Sequence, residues 1–142
     1  MQPRILVPYD FSSHAEAALR WAVELHRSCG GALKLIHLLE NPLPVSYGGA
    51  VPYPPPTKHE VEQHRDELQR VASRLVPDAE LEIALVGELG AGILEAAKEW
   101  RADLIAMGTR GRGGVARMLL GSVADKVIRG AECPVLTMRG AD

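Results

Sequence analysis

The sequence predicts an α/β fold: one domain on an open, five-stranded parallel sheet with helices on both faces. Three observations lead there. Short apolar runs of strand length alternate with stretches whose apolar residues recur at helical spacing, in the order β-α-β-α-β-α-β-α-β. Right-handed crossovers make such alternation a parallel sheet covered on both sides. The 142 residues, 46% hydrophobic and 24% charged, suit a single domain spanning 1–142 with its own core. Finally, the polar segments "PYDFSS" and "GTRGRGG" follow the first and fourth strands. Ligands sit beyond such strand ends, where strand order reverses.

The elements follow in order. "RILVP", Arg4 to Pro8, is a short apolar run bounded by polar residues and reads as a buried strand. Ser13 followed by Glu16 has the spacing of a capping box. The helix it opens carries Ala18, Leu19, Ala22, Val23 and Leu25 on one face and stops at "CGG", Cys29 to Gly31. "ALKLIHLLE", Ala32 to Glu40, is the second strand. From Asn41 to Thr57 the texture changes: six of the ten prolines lie between Pro42 and Pro56. Proline neither extends a helix nor fills a central strand, so this reads as a long surface loop, with docking to a proline-recognising domain as the other reading. A helix is expected from Glu60 to Leu75, and "AELEIALVG", Ala79 to Gly87, alternates like a strand with one less buried side. "GELGAG", Gly87 to Gly92, reads as a loop and helix start, with the helix proper from Ile93 to Trp100. The fourth strand is Ala102 to Thr109, the last helix Ser122 to Gly130, and the closing strand Cys133 to Arg139.

Composition excludes several classes of function. A formal net charge of -2 argues against nucleic-acid binding through an overall positive field. No apolar run approaches the roughly 20 residues that span a bilayer, so no membrane segment is expected. "MQPRILVPYD" lacks the layout of a signal peptide, which points to the cytoplasm. Cys29 and Cys133 have no metal-type spacing; in that compartment they read as reduced thiols rather than a disulfide.

The segment Gly108 to Val127 holds five of the 14 glycines and three arginines, Arg110, Arg112 and Arg117. Phosphate is bound by backbone N–H groups in glycine-rich turns and by the positive end of a helix dipole. Gly108 and Gly111 would turn the chain after the fourth strand, Gly121 would permit close approach, and Ser122 would cap the helix. The other reading is a plain strand-to-helix turn with a solvated basic face. A Walker A loop is excluded because Val123, not lysine, accompanies Gly121-Ser122. A dinucleotide fingerprint is excluded because "YDFSS" occupies its place after the first strand. A single "RGRGG" without interleaved aromatics does not read as an RNA-binding segment.

The spacing G-x2-G-x9-G-S, carried by Gly108, Gly111, Gly121 and Ser122, resembles the nucleotide-binding signature of the universal stress protein family. The resemblance extends to "ILVPYDFS", "HLLE", "DLIAMGTRGRGG" and "LLGSVADKVIRGAECPVL", nearly the whole chain in order. It implies a Rossmann-like sheet of strand order 3-2-1-4-5, ATP binding, Mg2+ carried through the phosphates, and a homodimer joined along the closing strand, 134–138. By the same carry-over Pro8 and Asp10 line the adenosine end, and Leu38 offers backbone contacts to adenine. Gly108, Arg110, Gly111, Gly121, Ser122 and Val123 then contact ribose and phosphates.

Hydrolysis would need a base or water-positioning group beside the terminal phosphate. His14, one turn after Asp10, is the nearest histidine in sequence, but it is expected to face water from the first helical turn. His37 is expected to point into the sheet, and His26, His59 and His64 to lie on or beside helices. The expectation is therefore a nucleotide-responsive binding protein. A slow ATPase or nucleotidyl-transfer enzyme and a nucleotide-independent scaffold are the alternatives.

Overall fold

A computed structural model describes residues 1–41, 54–111 and 120–141. Along the chain come β1 (Arg4–Pro8), α1 (Ser13–Cys29), β2 (Ala32–Glu40), α2 (Lys58–Leu75), β3 (Glu80–Val86), α3 (Leu89–Trp100), β4 (Leu104–Gly108), α4 (Ser122–Gly130) and β5 (Val135–Met138). The five strands form one sheet in the order β3-β2-β1-β4-β5, with every neighbouring pair parallel. This is the predicted class and strand order.

The sheet has a core on each face. Ile5, Val7, Leu33 and Leu35 point toward α1 and α2, where they meet Leu19, Ala22, Leu68 and Ala72. Leu6, Ile36, Ile105 and Met107 point the other way, against Ile93 and Ala97 of α3 and Ala124 and Val127 of α4. A strand covered on both faces carries apolar residues at successive positions, which is why "ILV" in β1 does not alternate. β3, at one edge, is only half-buried along most of its length.

Local chemistry moves several boundaries from where the pattern puts them. The N-cap of α1 is Ser12, not Ser13: its Oγ accepts the Ala15 N–H at 3.1 Å. The Asp10 carboxylate accepts the Ser12 N–H at 3.0 Å, so the turn closes one residue earlier. Glu16 pairs with Arg20 at 2.7 Å rather than completing a box. The chain does contain a capping box, at Thr57 and Glu60, and it starts α2 at Lys58, two residues before the expected Glu60.

Helix α3 begins at Leu89, so Gly90 and Gly92 lie inside it rather than in a loop. A side chain at 92 would come 2.6 Å from Val86 Cγ1, and one at 90 would come 2.9 Å from Lys126 Cδ. These glycines let the helix sit close to β3 and α4. At the α1–β2 turn, Gly30 and Gly31 have φ of 73° and 92°, and a side chain at 31 would also run into the Pro3 backbone. Most of the proline-rich segment, 42–53, lies outside the described residues; 54–57 carry no regular structure. Cys29 and Cys133 are free thiols. Among the described residues no helix is long and apolar enough to cross a membrane.

Leu35 is fully buried in the centre of the first core. Leu35→Ala is expected to lower the free energy of unfolding by about 2–5 kcal/mol. Urea denaturation followed by circular dichroism measures it, and a loss under about 1 kcal/mol contradicts this packing.

Candidate functional site

The ladder between β1 and β2 runs over five register pairs, from Arg4–Ala32 to Pro8–Ile36. Between β1 and β4 it covers only Ile5–Leu104 and Leu6–Ile105. The chain leaving β1 enters α1 on one face, whereas the chain leaving β4 leads to α4 on the other. The carboxyl ends of these two strands therefore part, and a cleft of about 520 Å³ opens between them. That volume falls in the roughly 300–1,000 Å³ range of small-molecule sites.

Four of the segments that wall the cleft carry the residues singled out in the sequence. The end of β1 contributes Pro8 and Asp10, and β2 contributes Leu38. The end of β4 contributes Gly108, Arg110 and Gly111; the start of α4 contributes Gly121, Ser122 and Val123. All nine residues singled out in the sequence thus meet at one place. Arg112 and Arg117 lie outside the described residues.

The glycines act differently from the expectation. None of Gly108, Gly111 and Gly121 has a positive φ, so none is required for a left-handed turn. What they provide is close approach. A side chain at 108 would lie 2.7 Å from His14 Cβ and 2.9 Å from the Ala15 nitrogen, where β4 abuts the first turn of α1. One at 111 would lie 2.8 Å from Asp10 Oδ2, so Gly111 brings the β4 loop against that carboxylate.

At α4 the N-cap is Gly121, and Ser122 is the first helical residue with its side chain exposed. Ser122 is therefore not the cap. Gly121 donates its N–H to the Thr109 carbonyl at 2.6 Å, tying the helix start to the end of β4. With no side-chain cap, the positive end of α4 faces the cleft through its backbone. Arg110 is 6% exposed, so its guanidinium packs inside the structure instead of forming a solvated basic face.

Further wall residues went unread in the sequence: Tyr9, His37 and Thr109 among the polar ones, Ile93 and Met107 among the apolar ones. Thr109 Oγ1 is buried and has no hydrogen-bond partner among the described residues. Its place inside the glycine motif was the signal available. Burial is the main reason the Tyr9 hydroxyl titrates above its usual range. His37 is buried too, and burial, partly opposed by a hydrogen bond to the Tyr9 carbonyl, holds its ring below the ordinary histidine range.

His14 does not face water. It is 7% exposed, and its Nδ1 accepts the Gly140 N–H at 2.7 Å, which fastens the segment after β5 to the start of α1. A second cleft of about 550 Å³ lies between the carboxyl ends of α3 and α4, at the opposite end of the sheet. Glu95, Lys98, Arg101 and Glu132 mix both charges there, and none of the motif residues reaches it. The cleft at the strand-order reversal is the one that gathers the motif residues and the N-terminus of α4.

Comparison with known proteins matches residues 1–139 to the universal stress protein family. A universal stress protein of Thermus aquaticus, named for its place in the 3' region of QAH/OAS sulfhydrylase, is 38% identical over 137 residues, covering 95% of this chain and 97% of its own. Universal stress protein UspA of Lactobacillus plantarum superposes with a TM-score of 0.80 at 24% identity, over 96% of this chain and 97% of its own. A universal stress protein of Archaeoglobus fulgidus solved in complex with dAMP gives 0.64 at 22% identity, over 97% and 98%. Another solved in complex with cAMP gives 0.68 at 22% identity, over 99% and 98%.

Close approach at position 108 makes a prediction separable from any ligand. Gly108→Ala is expected to destabilise the ligand-free chain by about 1–3 kcal/mol, because α1 must move off the end of β4. Thermal unfolding without added nucleotide reads this, and an unchanged midpoint contradicts the contact.

Proposed function

The chain belongs to the universal stress protein family, and we propose that its cleft holds an adenine nucleotide, ATP in particular, whose occupancy regulates the protein in a cytoplasmic stress response. The observation that carries this reading is the convergence of the nine motif residues on one cleft at the strand-order reversal. The solved relatives in complex with dAMP and cAMP support an adenine nucleotide as the ligand class.

The residues present suit such a ligand. Leu38 offers backbone groups and Pro8 apolar surface to the base, and Asp10 offers a carboxylate to the ribose. The uncapped first turn of α4, the Ser122 hydroxyl and the partnerless Thr109 hydroxyl offer donors to phosphate oxygens. Arg110 and the glycines Gly108, Gly111 and Gly121 bring backbone close to the same point. Among the described residues no group of three or more His, Cys, Asp or Glu is arranged to hold a metal. In this reading Mg2+ arrives on the phosphates and neutralises their charge.

Holding rather than turning over nucleotide is supported by His14, whose Nδ1 already accepts the Gly140 N–H. Two copies pairing along β5, with contacts over 134–138, belong to the same reading. β5 is an edge of the sheet, and an edge offers unpaired backbone groups to another strand.

Calorimetry with ATP at millimolar concentration tests the binding. Wild type is expected to bind. Gly121→Val, whose added atoms begin 3.2 Å from the Thr109 carbonyl, is expected to weaken binding at least about tenfold, some 1.4 kcal/mol, with the fold retained. A wild type that binds no adenine nucleotide overturns the proposal. Light scattering is expected to return the mass of two chains; the mass of one at micromolar concentration overturns the dimer.

A further inference from the structure

Four aromatic rings from three segments gather beside the cleft. Phe11 packs edge-on against Tyr9 at 5.2 Å between centroids and lies 5.0 Å from the His37 ring. His64, on α2, stacks on Phe11 at 6.2 Å and faces His37 at 4.7 Å. Phe11 is held at φ 64°, a left-handed conformation that a bulky residue adopts only when its surroundings fix it. The fixing groups are these rings, and Phe11 is the residue after Asp10 of the cleft.

His37 determines the chemistry of the cluster. Its Nδ1 lies 2.7 Å from the Tyr9 carbonyl. A carbonyl only accepts, so Nδ1 carries the proton and, in the neutral ring, Nε2 is a bare acceptor. Nε2 is buried without a hydrogen-bond partner, and so is Nδ1 of His64. A proton taken up by His37 enters at Nε2, inside a residue only 7% exposed and beside a second imidazole.

We propose that His37 is a positioning residue for the nucleotide cleft, and that its pairing with His64 makes nucleotide binding weaken as the solution turns acid. The proposal rests on the adenine-nucleotide reading of the cleft given above. Neutral, His37 holds the Tyr9 carbonyl and buttresses Phe11, which together fix Asp10 between them. Charged, the ring keeps its Nδ1–H donor but gains an Nε2–H that meets no acceptor among the described residues, so the charge is solvated only when the ring leaves its place in the cluster.

The groups facing the pair are Tyr9 and Asp10 from the end of β1, and Glu60 and Glu67 from α2. Asp10 and Glu67 favour a charged His37, as does the bond to Tyr9; burial and the facing His64 oppose it, and the balance lies below the ordinary histidine range. The sign follows. A histidine whose folded pKa is depressed contributes its full stability above the ordinary value of about 6.5, and that contribution is lost as pH falls below it. The closed cluster excludes the proton and the open one takes it up. Binding that requires the closed cluster therefore weakens in the same window.

The test measures ATP affinity by calorimetry at about pH 7.5 and about pH 5.5 for the full chain and for His64→Phe, which keeps a flat ring without the second imidazole. Ionisation of ATP itself is common to both proteins. Wild type is expected to lose several times more affinity than His64→Phe across this interval, because the facing imidazole opposes charge on His37. Equal losses overturn the proposal. Histidine ring signals followed by NMR without nucleotide supply the second readout: the His37 titration is expected to move upward in His64→Phe and likewise in His64→Gln. A His37 titration unmoved in both variants overturns the pairing, even if ATP binds. Absence of ATP binding at both pH values overturns the nucleotide reading and the coupling to it, whereas the ring titration still decides whether the pair excludes a proton.

Discussion

The ladder between β1 and β4 stops after Ile5–Leu104 and Leu6–Ile105 because the chains leaving these strands turn toward opposite faces of the sheet. No helix can cover the point where the two crossovers diverge, so the carboxyl ends there remain uncovered. The rest of the site follows from that geometry. β1 presents Pro8 to Asp10 on one side of the split, β4 presents Gly108 to Gly111 on the other, and α4 begins over the gap. Below the split, Leu6, Ile36, Ile105 and Met107 make one continuous apolar layer against α3 and α4.

Element order and the parallel sheet were readable because they depend on hydrophobic periodicity and on the handedness of crossovers, whereas the strand order came from the family resemblance. Helix starts were less so, because a start depends on which of several polar side chains finds a backbone donor. Asp10, by taking the Ser12 N–H, moved the cap from Ser13 to Ser12. Gly90 and Gly92 read as loop residues because glycine weakens an isolated helix. Inside the fold their missing side chains make room for Lys126 and Val86, and the packing outweighs propensity.

The nine cleft residues could be named from the sequence because the family resemblance carries them over on short matching stretches. Their physical roles could not. Glycines are usually read as conformational relief, yet Gly108 and Gly111 serve as places where two chain segments touch. His14 looked like a solvated first-turn residue, since nothing local announces a contact with Gly140, 126 positions away. The pairing of His37 with His64 is equally silent: it joins a strand to a helix across the proline-rich segment and appears only once α2 lies on the sheet. Side chains that meet through tertiary packing leave no spacing signature.

The Gly140–His14 hydrogen bond also decides where the chain departs from the domain. Met138 accepts the Thr109 N–H, and Gly140 lies so near the Ser13 backbone that a side chain at that position would collide with it. Position 140 thus lies at the carboxyl end of the sheet, against the first turn of α1. Met1 and Gln2, beside Gly30 at the other end of β1, lie at the far pole of the sheet. A fluorophore, tether or fusion partner attached after position 140 would stand at the same end of the sheet as the cleft, while the same group attached at the amino end would stand at the opposite pole.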